Sequence, residues 1–190
     1  GQLTAPSPRA DQGFASTVAI SGSTVVIGAP SASGEDNLRS GRVYIYGPGK
    51  AGWELLQVLA SPAPQAGERF GESVAILNNT LVVNAPNRRV TSTWGRRHEG
   101  QVYVFVRQGD TWRLQAALHE VLPARNSIAV VGGVRYPFGR RFALANNAIM
   151  ISPRSEEEIP HSFAWDGSSW IYEGQLPEKA NPMCPALYDA

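Results

Sequence analysis

Cysteine is almost missing from this chain of 190 residues. The single Cys184 excludes an intrachain disulfide framework and any zinc site built on cysteine, and it leaves the compartment open. Long apolar runs are missing as well. No stretch nears the roughly 18 residues that a membrane helix needs, so direct membrane insertion of that kind is excluded. The first residues carry no signal-peptide core, which says nothing of a leader already removed. Charge of one sign is missing: 17 Lys and Arg against 16 Asp and Glu leave a net +1. Nucleic-acid binding driven by charge is thereby excluded. The three histidines, His98, His119 and His161, have no i,i+4 partner and no H-E-x-x-H context, and no G-x-S-x-G elbow occurs. No catalytic residue, metal site or cofactor is nominated. A 3.6-residue apolar period over three turns is missing too.

Glycine and proline are plentiful, 19 and 14 residues, and short β-rich runs lie between them. That pattern reads as an all-β chain of many turns. One phrase is written three times: "FASTVAISGSTVVIGAP" (14–30), "FGESVAILNNTLVVNAP" (70–86) and a worn "FGRRFALANNAIMISP" (138–153). Each copy is two apolar, β-branched runs around a turn pair: Gly22-Ser23, suited to type II′, Asn78-Asn79, suited to type I′, or Asn146-Asn147. A second hairpin follows each copy. "GRVYIY" (41–46) leads through "GPGKAG" to "WELLQVL" (53–59), "GQVYVF" (100–105) through "VRQGDT" to "WRLQAAL" (112–118), and "HSFAW" (161–165) through "DGSS" to "WIYEGQL" (170–176). The unit is four antiparallel strands with aromatic cross-strand surfaces. "QLTAPSPRADQGF" (2–14) aligns with "VLASPAPQAGERF" (58–70), which predicts an extra N-terminal outer strand belonging to a preceding unit.

Four-stranded units at this spacing predict β-propeller blades, each hiding its faces against its neighbours. Blade one spans about 13–60, blade two about 69–122 and blade three about 137–177, with 1–12 as outer strand and linker and 178–190 as a tail. Three blades do not readily close a ring. The expected partner is therefore another protein chain or the rest of a larger propeller.

Phe70-Gly71, the "VAI" run and "NAP" (84–86) resemble the FG-GAP repeat of integrin-α-type propellers. Blade one keeps Gly28-Ala29-Pro30 but has Ala15 at the motif's first glycine. Blade two has Asn84 for the first glycine of GAP, and blade three keeps Phe138-Gly139 but shortens GAP to Ser152-Pro153. The resemblance implies an extracellular or cell-surface protein that acts in adhesion or assembly without catalysis. Integrin-type blades commonly carry a calcium loop in the first hairpin. Here the turns hold no Asp or Glu, and two residues do not wrap a cation.

Function is expected in loops between strands two and three and between blades. "SASGEDNLRS" (31–40) offers Glu35 and Asp36; "NRRVTSTWGRRHE" (87–99) offers Arg88, Arg89, Trp94, Arg96, Arg97 and His98. A Trp among arginines suits a protein hot spot or a sugar-stacking platform; the plainer reading is that Trp94 packs its own loop. "RSEEEIP" (154–160) reads as a solvated acidic run, "GPGKAG" as a turn and Cys184 as a bland thiol. Asn78-Asn79-Thr80 is a sequon, making Asn78 a glycosylation candidate. Two rival readings stand beside protein contact. One is a glycan-binding propeller using Trp53, Trp94 or Tyr136; the other is an accessory part of a larger extracellular enzyme. Titration calorimetry with calcium is expected to show no tight stoichiometric binding; a stoichiometric signal would restore the calcium loops.

Overall fold

The computed structural model describes residues 2–8, 11–34, 38–50, 52–92, 95–98, 100–118, 139, 141–151 and 160–175. The described residues form strands and turns, without a helix. In chain order the strands are β1 (Thr17–Ser21), β2 (Thr24–Ala29), β3 (Arg42–Gly49), β4 (Gly52–Leu59), β5 (Val74–Leu77), β6 (Thr80–Ala85), β7 (Arg89–Ser92), β8 (Gly95–His98), β9 (Gln101–Gln108), β10 (Thr111–Leu118), β11 (Phe142–Ala145), β12 (Ala148–Ile151), β13 (His161–Trp165) and β14 (Trp170–Gln175). Three four-stranded antiparallel sheets result, in the orders β1-β2-β3-β4, β5-β6-β9-β10 and β11-β12-β13-β14, and β7-β8 is a separate hairpin. These are the three expected blades.

The first hairpins close over two residues, as the turn pairs demand. Gly22 and Asn78 take positive φ, 55° and 53°, at the first turn position. Asn79 does not join Asn78 in that region, so the second turn departs from the type I′ expectation, which needs both. Two of the second hairpins are tighter than expected, while the third closes over residues 166–169 as read from sequence. Strands β3 and β4 pair as far as Gly49↔Gly52, and β9 and β10 as far as Gln108↔Thr111. The ladder continues until a glycine at positive φ, Gly52 or Gly109, turns the chain.

The predicted N-terminal strand is a correction. Residues 2–8 form no ladder, because a strand exists only through a hydrogen-bonded neighbour and none runs beside them among the described residues. Their position follows the alignment all the same. Leu3 and Ala5 pack on Val25, Ile27, Tyr44 and Tyr46 of blade one, and the Tyr46 hydroxyl donates to the Thr4 carbonyl at 2.6 Å. Leu59 packs likewise against blade two.

Strand β2 is buried along its whole length, and β6 nearly so, because each lies inside a sheet covered on both faces. Between blades one and two, Val26, Val43, Ile45 and Leu59 meet Phe70, Ile76, Leu81, Val83, Tyr103, Phe105 and Trp112. Phe70 is fully buried there, 5.6 Å from the Tyr103 ring and 6.2 Å from Phe105. Burying such a ring contributes about 1.5–3 kcal/mol. Between blades two and three, Val82, Val102, Val104 and Leu118 meet Ile149, Ile151 and Phe163, with Trp170 and Tyr172 at the edge.

The motif glycines set how close the blades come. A Cβ on Gly28 would lie 2.1 Å from the Gly71 carbonyl oxygen, and one on Gly41 2.1 Å from that of Phe70. Asn84 replaces Gly28 at the next seam, where its amide donates to the Gly139 carbonyl at 2.7 Å. Its own Oδ1 accepts from the Ser73 N–H at 2.6 Å. A direct backbone touch has thus become a side-chain bridge. Gly71 and Gly139 both take positive φ, 86° and 76°. Ala15, in the same motif position, takes it as well at 64°, so the backbone requirement persists without the glycine. Phe138, Ser152 and Pro153 lie outside the described residues.

Left-handed backbone costs a residue with a Cβ about 1–2 kcal/mol, partly offset by the entropy glycine adds to the unfolded chain. Ala15→Gly is therefore expected to stabilise the protein by about 0.5–1 kcal/mol. Urea unfolding would show it as a higher midpoint at unchanged slope.

Candidate functional site

One end of the blades collects the loops that join strands two and three and those that join successive blades. Backbone bonds interlock them: Gly67 N–H donates to Leu38 O at 3.2 Å and Phe70 N–H to Ser40 O at 2.8 Å. At this end the two complete repeats share one neck. Ser31 N–H donates to Gln12 O at 3.1 Å and Gly41 N–H to Ala32 O at 2.9 Å. Exactly homologous bonds in blade two run from Asn87 N–H to Glu68 O at 3.1 Å and from Gly100 N–H to Arg88 O at 3.3 Å. Beyond the neck the repeats diverge. Blade two rises into the β7-β8 hairpin, with Arg89 opposite His98, Val90 opposite Arg97, Thr91 opposite Arg96 and Ser92 opposite Gly95.

This arm is held at its base by charge and by amide pairing. Arg88 donates through Nη1 to Glu68 Oε2 at 2.8 Å and to the Ala63 carbonyl at 2.7 Å. Its guanidinium carbon lies 6.0 Å from the centre of the Tyr103 ring, in cation–π range. Gln65 accepts from the Arg89 N–H at 2.8 Å and donates to the Arg89 carbonyl at 2.9 Å. Glu68 is fully buried, and its Oε1 has no hydrogen-bond partner among the described residues. Burial raises the Glu68 pKa above its ordinary value, offset in part by the Ser61 hydroxyl and the Arg88 guanidinium. In blade one the same two places hold Gln12 and Ala32, a neutral pair with no strand beyond it among the described residues.

The residues proposed from sequence fall into four groups. Arg89, Arg96, Arg97 and His98 come together on the two strands of the arm. Arg88 is built into its base instead. Glu35, Asp36 and Trp94 lie outside the described residues. Asn78 sits apart, exposed at the opposite end on a hairpin tip. Its N–H donates to Ser21 Oγ at 3.0 Å and its side-chain amide to Asn146 Oδ1 at 3.4 Å. Sequence reasoning missed Glu68. The signal was available: in the 56-residue register Glu68 aligns with Gln12 and Arg88 with Ala32, so both charges of the pair appear in one repeat and vanish from the other.

Other polar groups serve the scaffold. Gln57 of blade one clasps the Trp112 main chain of blade two, accepting from its N–H at 2.7 Å and donating to its carbonyl at 3.0 Å. Gln115 accepts from the Trp170 indole at 2.9 Å across the next seam. Asp166 accepts from the N–H groups of Ser168 and Ser169 at 2.7 and 2.8 Å, which pulls its carboxyl down to about 2. His161, buried, meets the Tyr172 hydroxyl at 3.1 Å. Among the described residues no three His, Cys, Asp or Glu side chains cluster.

Stacked four-stranded sheets, with a Phe sealing the seam and glycines at positive φ, define the architecture. A family model described as the FG-GAP repeat matches residues 1–46 and 53–105, more than half of the chain. The chain belongs to the FG-GAP repeat family. No curated protein matched the sequence. The matched stretch covers blade one and most of blade two of this FG-GAP protein, and blade three joins them through its sheet order and register.

Removing Arg88 would leave the Glu68 carboxylate buried without its counter-charge. Arg88→Ala is expected to cost about 3–5 kcal/mol at neutral pH. Because the raised pKa favours the protonated acid in the folded state, that loss should shrink as pH falls through the Glu68 pKa. Urea unfolding of the variant across that range checks the sign; a loss that grows on acidification would contradict it.

Proposed function

We propose that this FG-GAP repeat protein is a non-catalytic module that contacts another protein through the β7-β8 arm. The observation that carries this reading is the arm itself. Arg89, Arg96, Arg97 and His98 are grouped on a hairpin outside the three blades, and a buried ion pair anchors its base. The blade frame has no use for the hairpin: blade one keeps the same neck bonds without any described strand beyond them. A basic, rigidly rooted hairpin suits an acidic protein surface, where charge complementarity sets register and the rate of encounter. Family membership supports an integrin-like role in adhesion or assembly, outside the cell or at its surface. No cofactor belongs to this reading.

The test is charge reversal. For the protein purified with its natural partner, Arg96→Glu with Arg97→Glu is expected to weaken the complex by at least about tenfold. The melting temperature should stay within about 2 °C, because the hairpin lies outside the three four-stranded sheets. Size-exclusion chromatography with light scattering reads both assembly and mass. Undiminished assembly would remove the arm from the interface.

A further inference from the structure

The neck of blade two seats a buried carboxylate against a cation that is not fully buried. Glu68 is 0% exposed, while the Arg88 side chain keeps 15% of its surface in solvent. Glu68 Oε2 accepts from Arg88 Nη1 at 2.8 Å, and Oε1 has no donor among the described residues. Half of the charge is thus unmet, in a place where unmet charge is costly. The other groups facing Glu68 do not replace Arg88. Ser61 brings a hydroxyl from the segment after β4, and Gln65 brings its main chain. Tyr103 on β9 brings a phenol whose pKa burial pushes up, so it stays neutral.

Blade one supplies the neutral form of the same neck. Gln12 stands in the Glu68 register and stays buried at 7% exposure, although the place of Arg88 holds Ala32. The Gln12 carbonyl accepts from Ser31 N–H at 3.1 Å, as the Glu68 carbonyl accepts from Asn87 N–H at 3.1 Å. Main-chain bonds therefore seat this residue whether or not it carries charge. Proton uptake would turn Glu68 into the neutral counterpart of Gln12 and leave Arg88 without its counter-charge. Charge-assisted hydrogen bonds are roughly twice as strong as neutral ones. Arg88 would keep the Ala63 carbonyl at 2.7 Å, the Ser61 hydroxyl at 3.4 Å and the face of Tyr103. We infer that Glu68 and Arg88 form a proton-operated latch: one proton from solvent, taken up at Glu68 Oε1, frees Arg88 and loosens the β7-β8 arm while the blades stay stacked. The sign follows from the pair. Burial raises the Glu68 pKa and Arg88 lowers it, so losing Arg88 while burial persists raises it further. Protons therefore favour the loosened arm.

The latch concerns the mobility of the arm and needs no partner; only its consequence, a contact that weakens in acid, rests on the function proposed above. Amide exchange by NMR on the full chain, expressed as protection factors to remove the intrinsic pH dependence, reads arm and blades separately. The Arg89 N–H, which donates to Gln65 beside the latch, reports on the arm. Val82 and Val102, buried inside blade two, report on the blades. From about pH 7.5 down to 4.5, the ordinary carboxylate value, Arg89 protection should fall about tenfold while the two valines keep theirs. The midpoint should coincide with that of the Glu68 carboxyl carbon shift. Glu68→Gln should give the low protection at every pH, without a midpoint. Glu68→Gln with Arg88→Ala installs the neutral pair of blade one, so it should fold and match the single variant. Arg89 protection that ignores pH, or a pH dependence that survives Glu68→Gln, would overturn the latch. So would an arm that tightens in acid, which would mean that Glu68 reaches water when the arm moves.

Discussion

Backbone-to-backbone contact across the seam between neighbouring sheets is the constraint on which this molecule depends. A blade is hydrophobic on both faces, so it is stable only when both are covered, and cover is good only at close range. Close range means that the main chain at Gly28 and Gly41 stands where no Cβ fits beside Gly71 and Phe70. Phe70, fully buried, then fills the space between the two sheets. Dispersion falls off within an ångström of added gap, so these glycines act through the apolar contacts of the whole seam.

The three copies show how one demand is met by different chemistry. Gly28 allows touch; Asn84 spans a wider gap with an amide that satisfies the Gly139 carbonyl and the Ser73 N–H together. Aromatic pairing varies in the same way. Phe14 meets Tyr44 at 5.4 Å and Phe70 meets Tyr103 at 5.6 Å, while blade three puts His161 at the tyrosine position, against Tyr172. A buried imidazole needs a hydrogen-bond partner that a phenyl ring does not, and the Tyr172 hydroxyl provides it.

The loop end follows a different logic. Glu68 and Arg88 hold opposite charges where blade one has Gln12 and Ala32. A buried pair of this kind adds little net stability over an apolar substitute, yet it fixes one geometry because neither charge tolerates losing the other. Fixing the neck fixes the direction in which the β7-β8 arm leaves the blade. By contrast the Arg39–Asp11 pair at 3.2 Å is well exposed and carries little weight.

The blades were legible because their signals are local and repeated: two-residue turns, β-branched runs and a Trp-to-Leu spacing that recurs three times. Alignment of 2–14 with 58–70 read the segment as an outer strand; Leu3 does stand on blade one as Leu59 stands on blade two, but residues 2–8 have no ladder partner among the described residues. Whether a strand forms depends on a ladder partner, which no local pattern contains. The arm was legible only as a basic loop; its pairing of Arg89 with His98 arises from hydrogen bonds between residues whose alternation is hidden by arginines on both strands. Glu68 was illegible as an anchor because burial and the nearness of Arg88 come from stacking sheets, not from sequence neighbours. Sequence alone determined the repeating unit and its family. Tertiary structure decided which side chains clasp across a seam and which charges are locked, because both depend on contacts between residues about 20 to 60 positions apart.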